Sequence, residues 1–382
     1  VIRALIGEYQ RLSVDVTGPF RVESGGLVLT RGASAGSATV RAEGRSLEVG
    51  VDPGGGVASA PDVVAIVPER GGEVRVDGVG YGGRIVVRVG LSGRLQAINV
   101  LPLEEYLEGV VPHEIGNPGP DAYAAMEAQA ITARTYALSR IEERKAEPFD
   151  VFAGVQDQVY RGRSRLSRTA SAAVRDTRGV VLTYRGRLAR TYYSATCGGH
   201  TSDIRRVWPQ RESADYLLGA YDHAGRGSDS FCSGVRNFRW RYAFSGRELG
   251  ELLRRTLPAE LQIAAGSVGS FVDLRVAERS PSGRVRKLEI ETSSGTFTVE
   301  GDRIRWVLML DADRGRILPS TLFDVERTVR AGRVVRVSIV GGGNGHGVGM
   351  CQNGAIGMAR RGYSHQMILS HYYPGTTLAP RY

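Results

Sequence analysis

With 382 residues, 42% of them hydrophobic and 24% charged, the chain can hold two or three domains with a proper core, which excludes disorder over most of its length. Its longest apolar runs, such as Val63 to Val67, fall far short of a bilayer span. The net charge of +10 would suit a polyanion, but only Lys145 and Lys287 are lysines and the arginines alternate with acids, as in Glu142-Glu143-Arg144, so a nucleic-acid binder is not expected.

Glycine is the compositional outlier, 51 residues against a background of about 7%, with no triplet period, and implies many turns and close backbone contacts. The chain begins with Val1 rather than Met, so any signal peptide or anchor is expected to lie outside it. From Val1 to about residue 100, short runs such as Leu27 to Thr30 and Ile85 to Val89, separated by Gly, Ser or Pro, predict strands. Val51 to Pro61, with its Gly-Gly-Gly run, reads as a loop. No reactive grouping of Asp, Glu, His or Cys occurs in this β-rich part.

The texture changes at Leu101. Leu103 to Val110 predicts a short helix, and the segment from Val111 through Pro112, Gly116, Pro118 and Gly119 predicts a loop that carries Glu114. A second helix is expected after Pro120 and Asp121, running through Ala-rich sequence to about Glu143. On it Glu127, Ala130, Ile131, Arg134, Leu138 and Ile141 share one stripe, which sets Arg134 into an apolar face. A buried guanidinium needs a carboxylate or several acceptors, so Arg134 reads either as a clamp, paired with Glu127 or another core acid, or as a substrate contact. Glu114, flanked by Val110, Val111 and Ile115, is a candidate general acid, partly desolvated and held more nearly protonated.

Strands are expected from Val180 to Ser194, then a polar turn, Thr196 to Thr201, and a mixture of strands such as Lys287 to Glu291 with short helical pieces from Arg236 to about Ser338. The glycine-rich run Gly341 to Gly349 reads as too flexible for regular structure. Two helices follow, Met350 to Arg361 closed by Gly362, and Ser364 to Tyr372 capped by Ser364 and stopped by Pro374-Gly375. The division expected is 1–95, a β-rich module; 96–235, a core with the Glu114 loop and the long helix; 236–340, a β-rich lobe; and 341–382, which completes the core.

The three cysteines allow several arrangements. Cys197, His200, His223 and Cys232 could supply a tetrahedral zinc site, although only Cys197-x-x-His200 is tightly spaced. A disulfide between Cys197 and Cys232, closing a loop of about 35 residues, is the plainer reading. Free buried cysteines are the third. His346 and Cys351 suggest a thiol hydrolase, but no orienting partner is visible. The glycine run lacks the Lys-Ser/Thr ending of a phosphate loop.

Together these segments resemble the SpoIID/LytB family, from roughly Leu91 to Leu378. The resemblance rests on Leu101 to Leu107 through Val110-Val111-Pro112-His113-Glu114, on Ala128-Gln129-Ala130-Ile131-Thr132-Ala133-Arg134-Thr135-Tyr136-Ala137, and on Tyr193 to Thr201. Gly345-His346-Gly347-Val348-Gly349-Met350-Cys351-Gln352 and Ile368 to Thr376 complete it. It implies an α+β fold with a substrate cleft, and a peptidoglycan lytic transglycosylase that cuts the MurNAc–GlcNAc bond and leaves 1,6-anhydro-MurNAc ends. Glu114 and Arg134 then fall at the catalytic positions. Tyr193, Ser194, Thr196, Gly198, Gly199, His200, His346 and Gln352 fall on segments expected to bind substrate. No metal or cofactor is implied for the chemistry. The Cys/His zinc loop that some members of the family carry after the long helix has no counterpart, since residues 149–161 contain neither residue type. Expected partners are glycan strands and, in the alternative of a noncatalytic enhancer, a cell-wall N-acetylmuramoyl-L-alanine amidase. The expected location is extracytoplasmic.

Overall fold

The computed structural model describes residues 1–382 except Arg45 and Arg226. Strands hold 37% and helices 24% of the chain, the expected α+β content. It divides into two compact units, Val1–Arg190 with Leu378–Tyr382, and Thr191–Thr377.

The first unit opens with twelve strands: β1 (Ile2–Tyr9), β2 (Arg11–Val16), β3 (Phe20–Ser24), β4 (Leu27–Gly32), β5 (Gly36–Glu43), β6 (Ser46–Asp52), β7 (Gly56–Ala60), β8 (Val63–Pro68), β9 (Val74–Val76), β10 (Val79–Tyr81), β11 (Arg84–Val89) and β12 (Leu95–Leu101). Next come helices α1 (Leu103–Glu114) and α2 (Tyr123–Glu143), strand β13 (Val151–Phe152), helix α3 (Arg168–Asp176) and strands β14 (Val180–Tyr184) and β15 (Arg187–Leu188). One sheet runs β13-β1-β12-β11-β8-β3-β4 and a second β10-β9-β2-β5-β6-β7. The two pack face to face. Alternation along the strands supplies the core, with Leu12, Val14 and Val16 buried on β2, Leu47, Val49 and Val51 on β6, and Ile85 and Val87 on β11.

One expectation is corrected here. The loop expected at Val51 to Pro61 is the hairpin of β6 and β7, in which Leu47 pairs with Ala60 and Val51 with Gly56. The boundary expected at 95 falls at the start of β12, whose residues 95–101 pair with β1 along its whole length. β1 also runs parallel to β13, with Ala4 opposite Val151, so the first strand is laced to segments on both sides of α1 and α2. Arg3 strengthens the seam, its backbone N–H and its guanidinium both donating to Asp150 at 2.7 and 2.5 Å.

α2 begins after a 3-10 turn at Pro120–Ala122 and ends at Glu143, as the sequence predicts. It is buried over most of its circumference rather than along one stripe, packed by α1, α3 and β14, so small alanines line it where neighbours approach.

The second unit contains β16 (Tyr193–Ser194), α4 (Ile204–Val207), β17 (Trp240–Ser245), α5 (Gly246–Leu261), β18 (Phe271–Arg279), β19 (Val285–Thr292), β20 (Gly295–Glu300), α6 (Ile304–Val307), β21 (Phe323–Arg330), β22 (Arg333–Gly341), β23 (Met350–Cys351), α7 (Gln352–Ala359) and α8 (His365–Tyr372). The chain returns as β24 (Thr377–Pro380), which pairs in the sheet β15-β14-β24. Leu249, Leu253 and Leu257 of α5 pack into a core with Leu274, Leu288, Ile290, Val337 and Ile339 of the sheets β18-β19-β20 and β17-β22-β21. α5 is a full 16-residue helix where only short pieces were expected, and it opens with a capping box of Ser245 and Glu248. The boundary expected at 340 falls inside β22.

Candidate functional site

α1 positions Glu114. The structure corrects the loop reading, because Glu114 is the last residue of α1 and the helix passes through Pro112. A proline there removes only the hydrogen bond that its own N–H would give to Glu108, near the helix end, and the buried face of Tyr106, Leu107, Val110 and Val111 holds the turn in place. Gly109 is required on that face, since a Cβ would lie 2.6 Å from both the Gly162 carbonyl oxygen and the Tyr160 ring.

Glu114 is half-buried beside buried Val111 and Ile115, and its Oε1 accepts the backbone N–H of Val159 at 2.6 Å. Residues 157–160 are pinned one after another. Asp157 accepts from the Tyr136 hydroxyl at 2.6 Å, from Arg144 at 3.1 Å and from the Phe152 N–H at 2.9 Å. Buried Gln158 accepts from Tyr106 at 3.2 Å and donates to the Ala133 carbonyl at 3.2 Å. Tyr160 donates to buried Asn99 at 2.7 Å and packs its ring 4.6 Å from that of Tyr106. The segment that orients Glu114 is thus fixed by α1, α2 and β12. Sequence reasoning missed it, because an Asp-Gln-Val-Tyr string in a loop carries no periodicity or spacing that marks it.

Arg134 is fully buried and forms a fork with Glu104 of α1, Nε to Oε1 and Nη2 to Oε2, both at 2.8 Å. Nη1 donates to the Val180 carbonyl at 3.1 Å and to Thr177 Oγ1 at 3.5 Å, and Nη2 also donates to the Val174 carbonyl at 3.1 Å. These five bonds use all five guanidinium N–H groups, so none is left for Glu114. The acid that pairs with Arg134 is Glu104 rather than Glu127. Burial pushes Glu104 up, but the bonds and charge of Arg134, aided by Tyr382 and a Gly179 backbone bond, outweigh it and leave the carboxyl below its ordinary value of 4.5. Arg134 therefore joins α1, α2, α3 and β14. A pocket of about 120 Å³ beside α1 is lined by Gly82, Glu105, Glu108, Tyr160 and Arg163 among others; Glu114 is not one of its lining residues.

The other predicted residues lie in the second unit, where the two expected segments meet. β16 and β23 run parallel, with Tyr193 opposite Met350 and Ser194 opposite Cys351. Ser194 Oγ accepts the Gly347 N–H at 3.2 Å, Thr196 bridges to Asn344, and Asn353 donates to Thr196 Oγ1 at 2.9 Å. Gly198 sits against Leu322 and Gly342, and Arg239 donates to its carbonyl at 3.0 Å. These neighbours line a pocket of about 450 Å³ with Arg279, Phe323 and Asp324. The Gly199 carbonyl accepts from Asp222 N–H at 3.0 Å, and the His200 ring stands edge-on to Tyr221 at 4.4 Å. His346 packs 4.8 Å from Trp208 and accepts the Val348 N–H at Nδ1, and burial holds its imidazole down to about 4. Gln352 is buried at the start of α7. The glycine run is mostly buried and tightly placed rather than flexible: a Cβ on Gly349, at φ +70, would lie 2.0 Å from the Tyr192 carbonyl oxygen.

The cysteines also depart from expectation. Cys197 and Cys232 are free, their sulfurs 3.7 Å apart, well beyond the ~2.05 Å of a disulfide bond. Cys351 joins them, with Asp222, so that one ligand atom from each of the four lies within 4.8 Å of the others. His200 and His223 are not in this cluster. Burial pushes the thiols of Cys197 and Cys351 up and Asp222 up to about 8, while hydrogen bonds from those two thiols hold Cys232 well below the ordinary thiol range. Cys351 turns its sulfur to this group and caps α7, accepting the Gly354 N–H at 3.2 Å, which accounts for it without a pairing to His346.

No helix among the described residues is long and apolar enough to cross a membrane. The sequence profile of a family described as Stage II sporulation protein (SpoIID) matches residues 91–184, the stretch that holds Glu114, Arg134 and residues 157–160. A second profile, described as a domain of unknown function (DUF8618), matches residues 223–349. An uncharacterized protein of Brachyspira hyodysenteriae is 30% identical over 305 residues, which cover 79% of this chain and 73% of that one. The amidase enhancer of Bacillus subtilis is 26% identical over 71% of this chain, which spans only 40% of that longer protein. Stage II sporulation protein D of the same organism is 25% identical over 74% of this chain and 76% of its own length. The chain belongs to the SpoIID/LytB family.

Proposed function

We propose that this protein is an extracytoplasmic cell-wall enzyme that cleaves the MurNAc–GlcNAc bond of peptidoglycan by lytic transglycosylation, with Glu114 as its single acid and base. Relatives named amidase enhancer and stage II sporulation protein D support a cell-wall role. The observation that carries the finer reading is the setting of Glu114, a half-buried carboxyl on a rigid helix end with one oxygen fixed at 2.6 Å by the Val159 N–H. Hydrolysis of a glycoside ordinarily uses two carboxylates, whereas intramolecular closure can use one group twice. Glu114 gives its proton to the glycosidic oxygen as the bond to MurNAc C1 breaks. Its carboxylate then takes the proton of the MurNAc C6 hydroxyl as that oxygen bonds to C1. The 1,6-anhydro ring closes, Glu114 regains its proton and no water is consumed.

Arg134 acts at one remove, as a positioning residue that holds α1 through Glu104. Tyr193, Ser194, Thr196, Gly198, Gly199, His200, His346 and Gln352 are assigned to glycan binding from the segments the chain shares with the family. The second reading, a noncatalytic enhancer of an N-acetylmuramoyl-L-alanine amidase, is favoured by the likeness to the amidase enhancer. Digestion of purified peptidoglycan, with and without its peptide stems, separates the two by mass spectrometry. The enzyme leaves glycan ends one water lighter than hydrolytic products, while an enhancer alone creates no new ends.

A further inference from the structure

The cluster in the second unit is not used by the chemistry proposed for Glu114, and its composition is that of a metal site. We propose that Cys197, Asp222, Cys232 and Cys351 form a closed four-ligand site for one Zn²⁺ ion with a structural role.

Four donors match the tetrahedral coordination of structural zinc, and a thiolate set with one carboxylate suits this borderline-soft ion. Zn–S bonds of about 2.3 Å at tetrahedral angles place two sulfurs roughly 3.8 Å apart. The Cys197 and Cys232 sulfurs stand at 3.7 Å. All four side chains are inaccessible to solvent, so no position is open for a substrate or water. Among the described residues no cationic side chain pairs with Asp222. Its oxygens instead accept the Tyr372 hydroxyl at 2.5 Å and the Cys232 N–H at 2.9 Å, the outer bonds that orient a ligating carboxylate.

Backbone N–H groups aim at the sulfurs as well: Cys197 N and Gly354 N at Cys351 Sγ, each 3.2 Å, and Gly199 N at Cys197 Sγ, 3.4 Å. Such donors stabilise thiolates. Three thiolates and a carboxylate would leave two excess negative charges over Zn²⁺. Arg284 supplies compensation, buried, bonded through Nη2 to the Cys197 carbonyl at 2.7 Å, with Nε and Nη1 lacking hydrogen-bond partners. The ligands come from separate stretches of chain. Cys197 follows β16, Asp222 and Cys232 lie in the long segment between α4 and β17, and Cys351 ends β23. The described residues of that segment hold little regular structure, and one ion would tie it to α7.

The chain has only three cysteines, all in the cluster, so thiol chemistry reports on it without background. The full chain, purified without a metal-affinity column, is expected to carry one zinc by native mass spectrometry and elemental analysis. All three thiols resist a thiol reagent until a strong chelator or denaturant is added. Stripped and refolded with Co²⁺ alone, it gains the sulfur-to-cobalt charge-transfer band and the intense visible bands of a tetrahedral thiolate site. Tyr372→Phe, which keeps all four ligands, weakens metal affinity by about 10–100-fold. The proposal is overturned if the folded chain carries no metal and takes up no Co²⁺ with sulfur bands. A disulfide between Cys197 and Cys232, seen as a loss of two hydrogens in that folded chain, overturns it too. Glycan cleavage is scored separately, so failure here leaves the reading of Glu114 standing, and the converse.

Discussion

Arg134 carries the clearest energetic expectation of any single side chain. It is wholly buried with five hydrogen bonds, so Arg134→Met leaves Glu104 without its partner and is expected to lower unfolding free energy by about 3–5 kcal/mol in denaturant titrations. Arg134→Lys loses the planar fork and recovers only part of that loss. The pair also sets a pH dependence. Glu104 is held below 4.5 when folded, so its contribution is fully present above that value and disappears as pH falls through the lower folded value. Unfolding free energy measured between pH 6 and 3, a window of roughly that width around the ordinary carboxyl range, should fall more steeply for the wild type than for Arg134→Met. The sequence made it evident that Arg134 needed a carboxylate. Which one was hidden, because Glu104 lies on another helix, and spacing within α2 pointed to Glu127.

At the level of elements, local signals read well where they are self-contained. The ends of α2, the Ser364 cap of α8 and strands such as β11 follow from short-range chemistry. Where a tertiary partner decides, they mislead. Pro112 argues against a helix in isolation, yet α1 continues through it because its apolar face is already packed. The Gly341 to Gly349 run looks mobile, but a Cβ there would meet backbone, as at Gly342, Gly343 and Gly349, or a packed side chain, as at Gly347 against Arg284. Gly349→Ala, which forces a Cβ toward the Tyr192 carbonyl at positive φ, should destabilise the second unit by more than about 1 kcal/mol, read as a lowered melting temperature. α5 opens with a capping box of Ser245 and Glu248, and Ser245→Ala should cost about 1 kcal/mol by the same measurement.

For the whole molecule, composition and motif order were enough for the α+β class and the family. The β-rich beginning reads as a module in sequence, and β1 pairs with β12 and β13 within the unit that carries α1 and α2. A chain lacking residues 1–95 would expose β13 and a lone β12 edge and is expected to be insoluble; soluble, protease-resistant protein from that truncation would refute this architecture. In the proposed reaction one proton moves twice at Glu114. Its most direct measurement is the yield of anhydro-ended glycan from wild type and Glu114→Gln, each shown to be folded by circular dichroism. Loss of a general acid is worth about 10²–10⁴ in rate, so the variant should fall by at least that range to background. Anhydro ends released by Glu114→Gln at the wild-type rate would contradict it.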